Sequence, residues 1–111
     1  MKYHNSKTIV DGIKFDSRLE AQRYQHLRIL EQAGVIQALT LQPEFELQPS
    51  FKKNGKTYRR IVYKADFSYY SVREGKVIIE DTKGYVTKEY ALKKKLFEYR
   101  YPELTIREVK K

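Results

Sequence analysis

The sequence predicts an α+β fold, one mixed β-sheet with helices packed on it, in the order α-β-β-β-α-β after an N-terminal β-hairpin. Three observations carry this reading. Two segments repeat apolar residues at helical spacing and have capping residues at both ends. Between and around them lie β-prone runs rich in Val, Ile, Tyr and Phe, separated by Asp-Gly, Asn-Gly and Glu-Gly, which are turn signals. The 111 residues suffice for one domain, 1–111, with no repeat, low-complexity tract or linker.

The elements follow in order. In "TIVDGIKF" two short β-prone runs flank Asp11-Gly12, a two-residue hairpin signal. "DSRLEAQRYQHLRILEQAG" reads as a helix, capped by Asp16 or Ser17 and ended by Gly34, with Leu19, Tyr24, Leu27, Leu30 and Ala33 as its apolar stripe. "FELQPSFKKNGKTYRRIVYKADFSYYSV" reads as a long hairpin. Phe45, Leu47 and Phe51 share one parity, Asn54-Gly55 makes the turn, and Tyr58 to Val72 forms the return strand. After a turn at Glu74-Gly75, "KVIIEDTKG" is the third strand. "TKEYALKKKLFEYRY" is a second helix, capped by Thr87 and stopped near Pro102, and "LTIREV" is a last strand.

Composition narrows the function classes. The chain has no cysteine, which excludes a disulfide scaffold, a Cys-based zinc site and a thiol nucleophile. Its two histidines, His4 and His26, are far apart and read as surface or core-edge residues. No apolar run approaches the roughly 20 residues of a membrane span, and "MKYHNSKTIV" lacks a signal-peptide core. A reducing intracellular compartment is the natural expectation. The net charge of +9, from 23 basic and 14 acidic residues, attracts polyanions, nucleic acid before a membrane surface.

Against that basic background, carboxylates sit inside two runs that otherwise read as core strands. Strand alternation puts Ile79, Asp81 and Lys83 on one face of the third strand, and Ile78, Glu80 and Thr82 on the other. Pairing through the Glu74-Gly75 turn brings Asp66 close to Asp81 with a small offset of register. At about 4 Å two carboxylates repel by about 1 kcal/mol in water and about 4 kcal/mol near a protein surface. A divalent cation relieves that repulsion, and an all-oxygen site suits Mg²⁺ or Mn²⁺. Lys83 beside such a site orients a water or stabilises charge on a phosphate oxygen. Glu20 shares a helix face with Tyr24 and Leu27 and joins the candidates. This is equipment for phosphodiester hydrolysis.

"ADF", then "EDTKG", then a Lys-rich helix, with the helical glutamate of "FDSRLEAQRY" before them, resembles the PD-(D/E)xK nuclease superfamily. The whole chain most resembles a phage and prophage family of small proteins within it. The resemblance implies a restriction-endonuclease-like αβββαβ core. It implies that Asp66 is the first motif acid, Asp81 the second, Lys83 the motif lysine and Glu20 the first-helix glutamate. Asp66, Asp81 and Glu20 would then hold the metal, and a bacterial cytoplasm would be the setting. Alanine rather than proline precedes Asp66, and "EDTK" offers two acids, of which parity selects Asp81. Lys95 and Tyr99 stand where exonuclease relatives carry a Gln and a Tyr, so exonuclease action is not assigned.

The expected activity is a Mg²⁺- or Mn²⁺-dependent DNA endonuclease that selects branched or junction DNA in phage recombination or replication. No recognition helix for base edges is visible. DNA contacts are expected from Lys52, Lys53, Lys56, Arg59 and Arg60 of the hairpin, where Phe51–Lys64 holds six bases and no acid, and from Lys93 and Lys95 of the second helix. Cutting two strands symmetrically would require a homodimer. Plainer readings stand beside these. Asp66, Asp81 and Lys83 also fit a salt-bridged strand end. Ser17-x-x-Glu20 is a capping box, and lysines also guard hairpin edges. The alternative function is a non-catalytic nucleic-acid-binding module of a phage replication or packaging complex.

Overall fold

In the computed structural model, residues 7–83 and 86–110 are described, Lys83 by its backbone alone. The protein is a mixed α+β structure with two helices and several sheets. Strands β1 (Thr8–Val10) and β2 (Ile13–Phe15) pair antiparallel around Asp11 and Gly12. Both turn residues have positive φ, 53° and 75°, as the hairpin-favouring type I′ turn requires. The Tyr24 hydroxyl donates to Asp11 at 3.0 Å, tying the hairpin to helix α1 (Arg18–Gln32).

Ser17, not Asp16, caps α1, its Oγ accepting from the Glu20 amide at 3.1 Å. The buried stripe of α1 is Glu20, Ala21, Tyr24 and Leu27, rotated from the expected one, since Leu19 is half-buried and Ala33 exposed. A carboxylate thus occupies the core-facing line at the start of the helix. Helix α2 (Lys88–Arg100) begins at Thr87, whose Oγ1 accepts from the Tyr90 amide at 3.0 Å.

The central sheet contains β3 (Ile36–Leu41), β8 (Phe67–Ser71), β9 (Lys76–Lys83) and β10 (Ile106–Lys110), in the spatial order β10-β9-β8-β3. Neighbours are antiparallel except β9 and β10, which run parallel across α2. Around α1 and α2 the sheet elements therefore follow the order α-β-β-β-α-β, but the first strand is not the expected one. It is β3, in "IQALTL", a stretch assigned no element from the sequence. A bulge between Gln37 and Thr40, with Ala38 at φ 57°, breaks its alternation and hides its period.

The run from Phe45 instead builds a ribbon outside the central sheet. Strands β4 (Glu44–Gln48) and β7 (Ile61–Lys64) pair, and beyond them β5 (Phe51–Lys53) and β6 (Lys56–Tyr58). The expected single return strand from Tyr58 to Val72 is three strands, β6, β7 and β8. Pro49 has no N–H to continue a ladder, and Arg59-Arg60 lie outside any strand.

Two apolar clusters cover the two faces of the sheet. Phe67, Tyr69 and Ile78 pack with Phe15, Tyr24 and Leu27 of the hairpin and α1. Ile79 and Ile106 pack with Tyr63, Tyr90 and Phe97 of the ribbon and α2. Strand β9 feeds both clusters through alternate residues, so it is covered on both sides. Among the described residues no helix is long and apolar enough to cross a membrane.

Candidate active site

The β8–β9 connection sets the register of the acids. The loop is Val72–Gly75 rather than a two-residue turn at Glu74-Gly75. It is closed by the Gly75 amide on the Ser71 carbonyl at 2.8 Å and by the Glu74 amide on Ser71 Oγ at 3.1 Å. The ladder runs from Ser71↔Lys76 to Phe67↔Glu80. One further step in the same register brings Asp66 opposite Asp81. Asp66 stands just outside the ladder. Its amide donates to the Glu80 carbonyl at 3.1 Å, and its Oδ2 accepts the Thr82 amide at 2.7 Å and the Thr82 hydroxyl at 2.6 Å. The side chain of Asp66 thus takes over where backbone pairing ends.

Asp81 is buried at the end of β9, on the face of Ile79. The Tyr63 hydroxyl of β7 donates to its Oδ2. Burial first, then the Asp81 hydrogen bond and charge, push the Tyr63 phenol far above its ordinary range. Tyr63 therefore stays protonated and keeps donating. Tyr90 of α2 lies beside this group, its own phenol pushed up by burial and by the carboxylates of Glu108 and Asp81.

Glu20 reaches the same region from the other side, at the N-terminus of α1. Burial and the charges of Asp66, Asp16 and Asp81 push its carboxyl up to about 7, against a lowering by the Asp16 backbone amide. That amide bond is the capping contribution of Glu20, made to the residue before the cap. The Asp66 and Asp81 contributions put Glu20 within electrostatic reach of both strand acids. Beside it lies a cavity of about 160 Å³ lined by Ile13, Lys14, Phe15, Leu41 and Gln42. The Gln42 amide donates to the Asp66 carbonyl at 2.9 Å, so this cavity adjoins the start of β8.

Asp66 and Asp81, which raise the proton affinity of Glu20, form with it an all-oxygen donor set, which matches a hard divalent cation in chemistry. As the side chains stand, no group of three or more Asp, Glu, His or Cys among the described residues is gathered closely enough to hold a metal ion. The fit is therefore to an ion taking one or two carboxylates and completing its shell with water and phosphate, as Mg²⁺ does. Lys83, expected from the sequence to stand beside the acids, ends β9, and its side chain lies outside the described residues, as does His4.

Glu80, the other acid of "EDTK", points to the opposite face. It is fully buried and held by Arg23 through two hydrogen bonds of 2.7 and 2.6 Å and by the Tyr69 hydroxyl. Burial and the Glu80 hydrogen bond push the Tyr69 phenol up to about 12. Arg23 is shared with the exposed His26, at 2.9 Å. Sequence reasoning did not find Tyr63, Thr82, Arg23 or Tyr69. Each acts across 11 to 57 positions, and no local signal announces such partners.

The cations expected to touch DNA are not equivalent. Lys52, Lys53 and Lys56 lie on the fully exposed outer ribbon, with Arg59 and Arg60 at its break. Arg60 is turned toward Glu44 and Glu46, at 3.5 and 3.8 Å. Lys93 pairs with Glu89 at 3.3 Å. Lys93 and Lys64, the latter not singled out from the sequence, line a groove of about 340 Å³ with Tyr63, Thr87 and Tyr90. Through Tyr63 that groove adjoins Asp81. Lys95 is further along α2, beside Glu98 and Glu108.

No curated protein and no solved structure matches the chain. A family profile described as "Protein of unknown function (DUF1064)" matches residues 1–111, and the chain belongs to that family.

Proposed function

We propose that this protein is a metal-dependent DNA endonuclease with a restriction-endonuclease-like core, acting on branched or junction DNA in phage recombination or replication. The observation that carries the reading is the placement of Asp66 and Asp81 at adjoining strand ends, one register step beyond the Phe67↔Glu80 pair, with Glu20 in electrostatic reach of both. Asp66 and Asp81 would hold Mg²⁺ or Mn²⁺, with Glu20 as a further ligand or as the acceptor of a bound water's proton. The cation supplies Lewis-acid polarisation of a phosphate oxygen and lowers the pKa of a water.

The chain's own residues do the rest. Tyr63 and Thr82 fix the orientation of the two carboxylates. Lys83 is assigned by the motif to steady the water or the charge growing on the phosphate. Lys64 and Lys93, in the groove next to Tyr63, meet the DNA backbone, and such contacts position without reading sequence. In the reaction a water oxygen bonds to phosphorus, one ester P–O bond breaks, and the leaving oxygen takes a proton.

A second reading is a binding module without catalysis. The hydrogen bonds of Tyr63 and Thr82 favour it, since they satisfy Asp81 and Asp66 from within the chain. One experiment decides. Single-stranded, duplex, flapped and four-way-junction DNA are incubated with Mg²⁺ or Mn²⁺, with Asp81→Asn beside the unaltered protein. Cutting by the unaltered protein alone is expected. No cutting of any substrate in either metal, with DNA binding intact in EDTA, establishes the binding module instead.

A further inference from the structure

The outermost part of the ribbon has chemistry that phosphate contact alone does not explain. Strands β5 and β6 pair as Phe51↔Tyr58, Lys52↔Thr57 and Lys53↔Lys56, around Asn54 and Gly55 at φ 53° and 74°. Every residue from Phe51 to Tyr58 is exposed. Alternation places Phe51, Lys53, Lys56 and Tyr58 on one face. The two rings stack with centroids 4.8 Å apart and planes within 10°, yet remain 42% and 39% exposed. The Lys56 ammonium lies 5.1 Å from the Tyr58 ring.

Two features of this face call for a ligand. An exposed cross-strand aromatic pair stabilises a hairpin, but like charges directly opposite destabilise it. Lys53 and Lys56 are such a pair, and no acid occurs anywhere between Glu46 and Asp66 to offset them. An anion between them would offset that repulsion. The exposed Phe51 ring, backed by Tyr58 and set beside paired cations, matches single-stranded nucleic acid, where unpaired bases stack and phosphates follow. In a duplex the base faces are already stacked on each other, so the rings would have nothing to cover them.

We infer that the β5–β6 arm is a single-stranded DNA clamp, in which an unpaired base extends the Phe51–Tyr58 stack from the outer face of Phe51 while its flanking phosphates sit on Lys53 and Lys56. The inference rests on the nuclease reading only in naming its substrate class, DNA with an unpaired segment near the cut. The arm is continuous with β7, which carries Tyr63 to Asp81. Tyr58 and Tyr63 are five positions apart, at most about 17 Å of extended chain, or roughly five stacked nucleotides.

The test measures binding in EDTA, so that cleavage plays no part. Fluorescence anisotropy of labelled oligothymidylate and of a blunt duplex of equal length is followed with the full chain. The variants are Phe51→Thr/Tyr58→Thr, which keeps β-prone residues in the arm, and Lys53→Ser/Lys56→Ser. The unaltered protein is expected to prefer the single strand. The ring variant loses about tenfold or more on the single strand and less than twofold on the duplex. The lysine variant weakens both and flattens the salt dependence of single-strand binding by about 1.4 in log–log slope. Quenching of a 2-aminopurine placed in the oligonucleotide, with the unaltered protein, reports stacking without any substitution. Equal affinity for duplex, a ring variant that loses both DNAs alike or neither, or an unquenched 2-aminopurine overturns the clamp. Single-strand binding that depends on the rings, without cleavage in any metal, keeps the clamp and removes the nuclease. Cleavage without ring dependence does the reverse.

Discussion

Glu80 and Asp81 are consecutive, both acidic and both buried, at 0% and 3% exposure, yet they sit in opposite environments. The pleat of β9 sends Glu80 toward α1, where the Arg23 guanidinium meets it with two hydrogen bonds and Tyr69 adds a third. It sends Asp81 toward the ribbon and α2, where a neutral phenol donates to it and the acids Asp66 and Glu20 lie within reach. The first arrangement brings a cation with its anion. The second brings anions together at a strand end. Burial therefore does not distinguish the two carboxylates; the charge of the surroundings does.

The sharpest test of that contrast is to remove each acid in turn. Glu80→Ala leaves the Arg23 guanidinium, 20% exposed, without its partner, and breaking a buried pair costs about 3–5 kcal/mol. Denaturant unfolding is expected to show a loss of that size, a large share of a small domain's stability. A loss below about 1 kcal/mol would mean that the pair is not structural. Asp81→Asn should act the other way. The amide oxygen still accepts from Tyr63, so the fold holds within about 1 kcal/mol. Cleavage in Mg²⁺ falls by about a thousandfold, equal to about 4 kcal/mol of barrier. Cleavage by Asp81→Asn at a tenth or more of the original rate would remove Asp81 from the site.

Glu20 gives the contrast a pH dependence. Its carboxyl, ordinarily at 4.5, stands at about 7 in the fold through burial and the charges of Asp66, Asp16 and Asp81. The folded state therefore keeps a proton that the unfolded state has released. In EDTA, stability from this group is greatest below about pH 4.5 and declines as pH rises to about 7, by at most about 3 kcal/mol. Glu20→Gln should abolish that decline and be the more stable protein at pH 8, while cutting more slowly. If the stability of Glu20→Gln parallels the original curve between pH 5 and 8, Glu20 does not face the other acids.

Two smaller effects refine the picture. Tyr63→Phe removes the phenol from Asp81 and should cost about 1–2 kcal/mol, with a drop in cleavage that exceeds what the lost stability explains. An unchanged cleavage rate would make Tyr63 a core residue only. Ser17→Ala removes the α1 cap and should cost about 1 kcal/mol. It should also lower cleavage slightly, because the cap anchors the turn that carries Glu20. A full stability loss with no effect on cutting would separate the start of the helix from the site.

The features legible in the sequence are those with local causes. Asp11-Gly12 and Asn54-Gly55 make their turns because positive φ is cheap for these residues, and Ser17 and Thr87 cap their helices through amides three positions on. The parity of β9, which separates Glu80 from Asp81, follows from pleating alone. Strand β3 is not legible, because the bulge at Ala38 erases the alternation that would reveal it. The ribbon reads as one hairpin feeding the sheet, since nothing near Pro49 states that β4 and β7 pair away from the centre.

The sequence by itself determined the helices, the turns, the acids on β9 and the excess of positive charge, since each depends on residues a few positions apart. Only the tertiary structure decided which acid met a cation. Arg23 and Glu80 are 57 positions apart, and Tyr63 and Asp81 are 18. It also decided that the four-residue loop at Val72–Gly75 would carry Asp66 into line with Asp81. Pairings of that range depend on the packing of whole elements against both faces of the sheet, and no short stretch of chain contains that information.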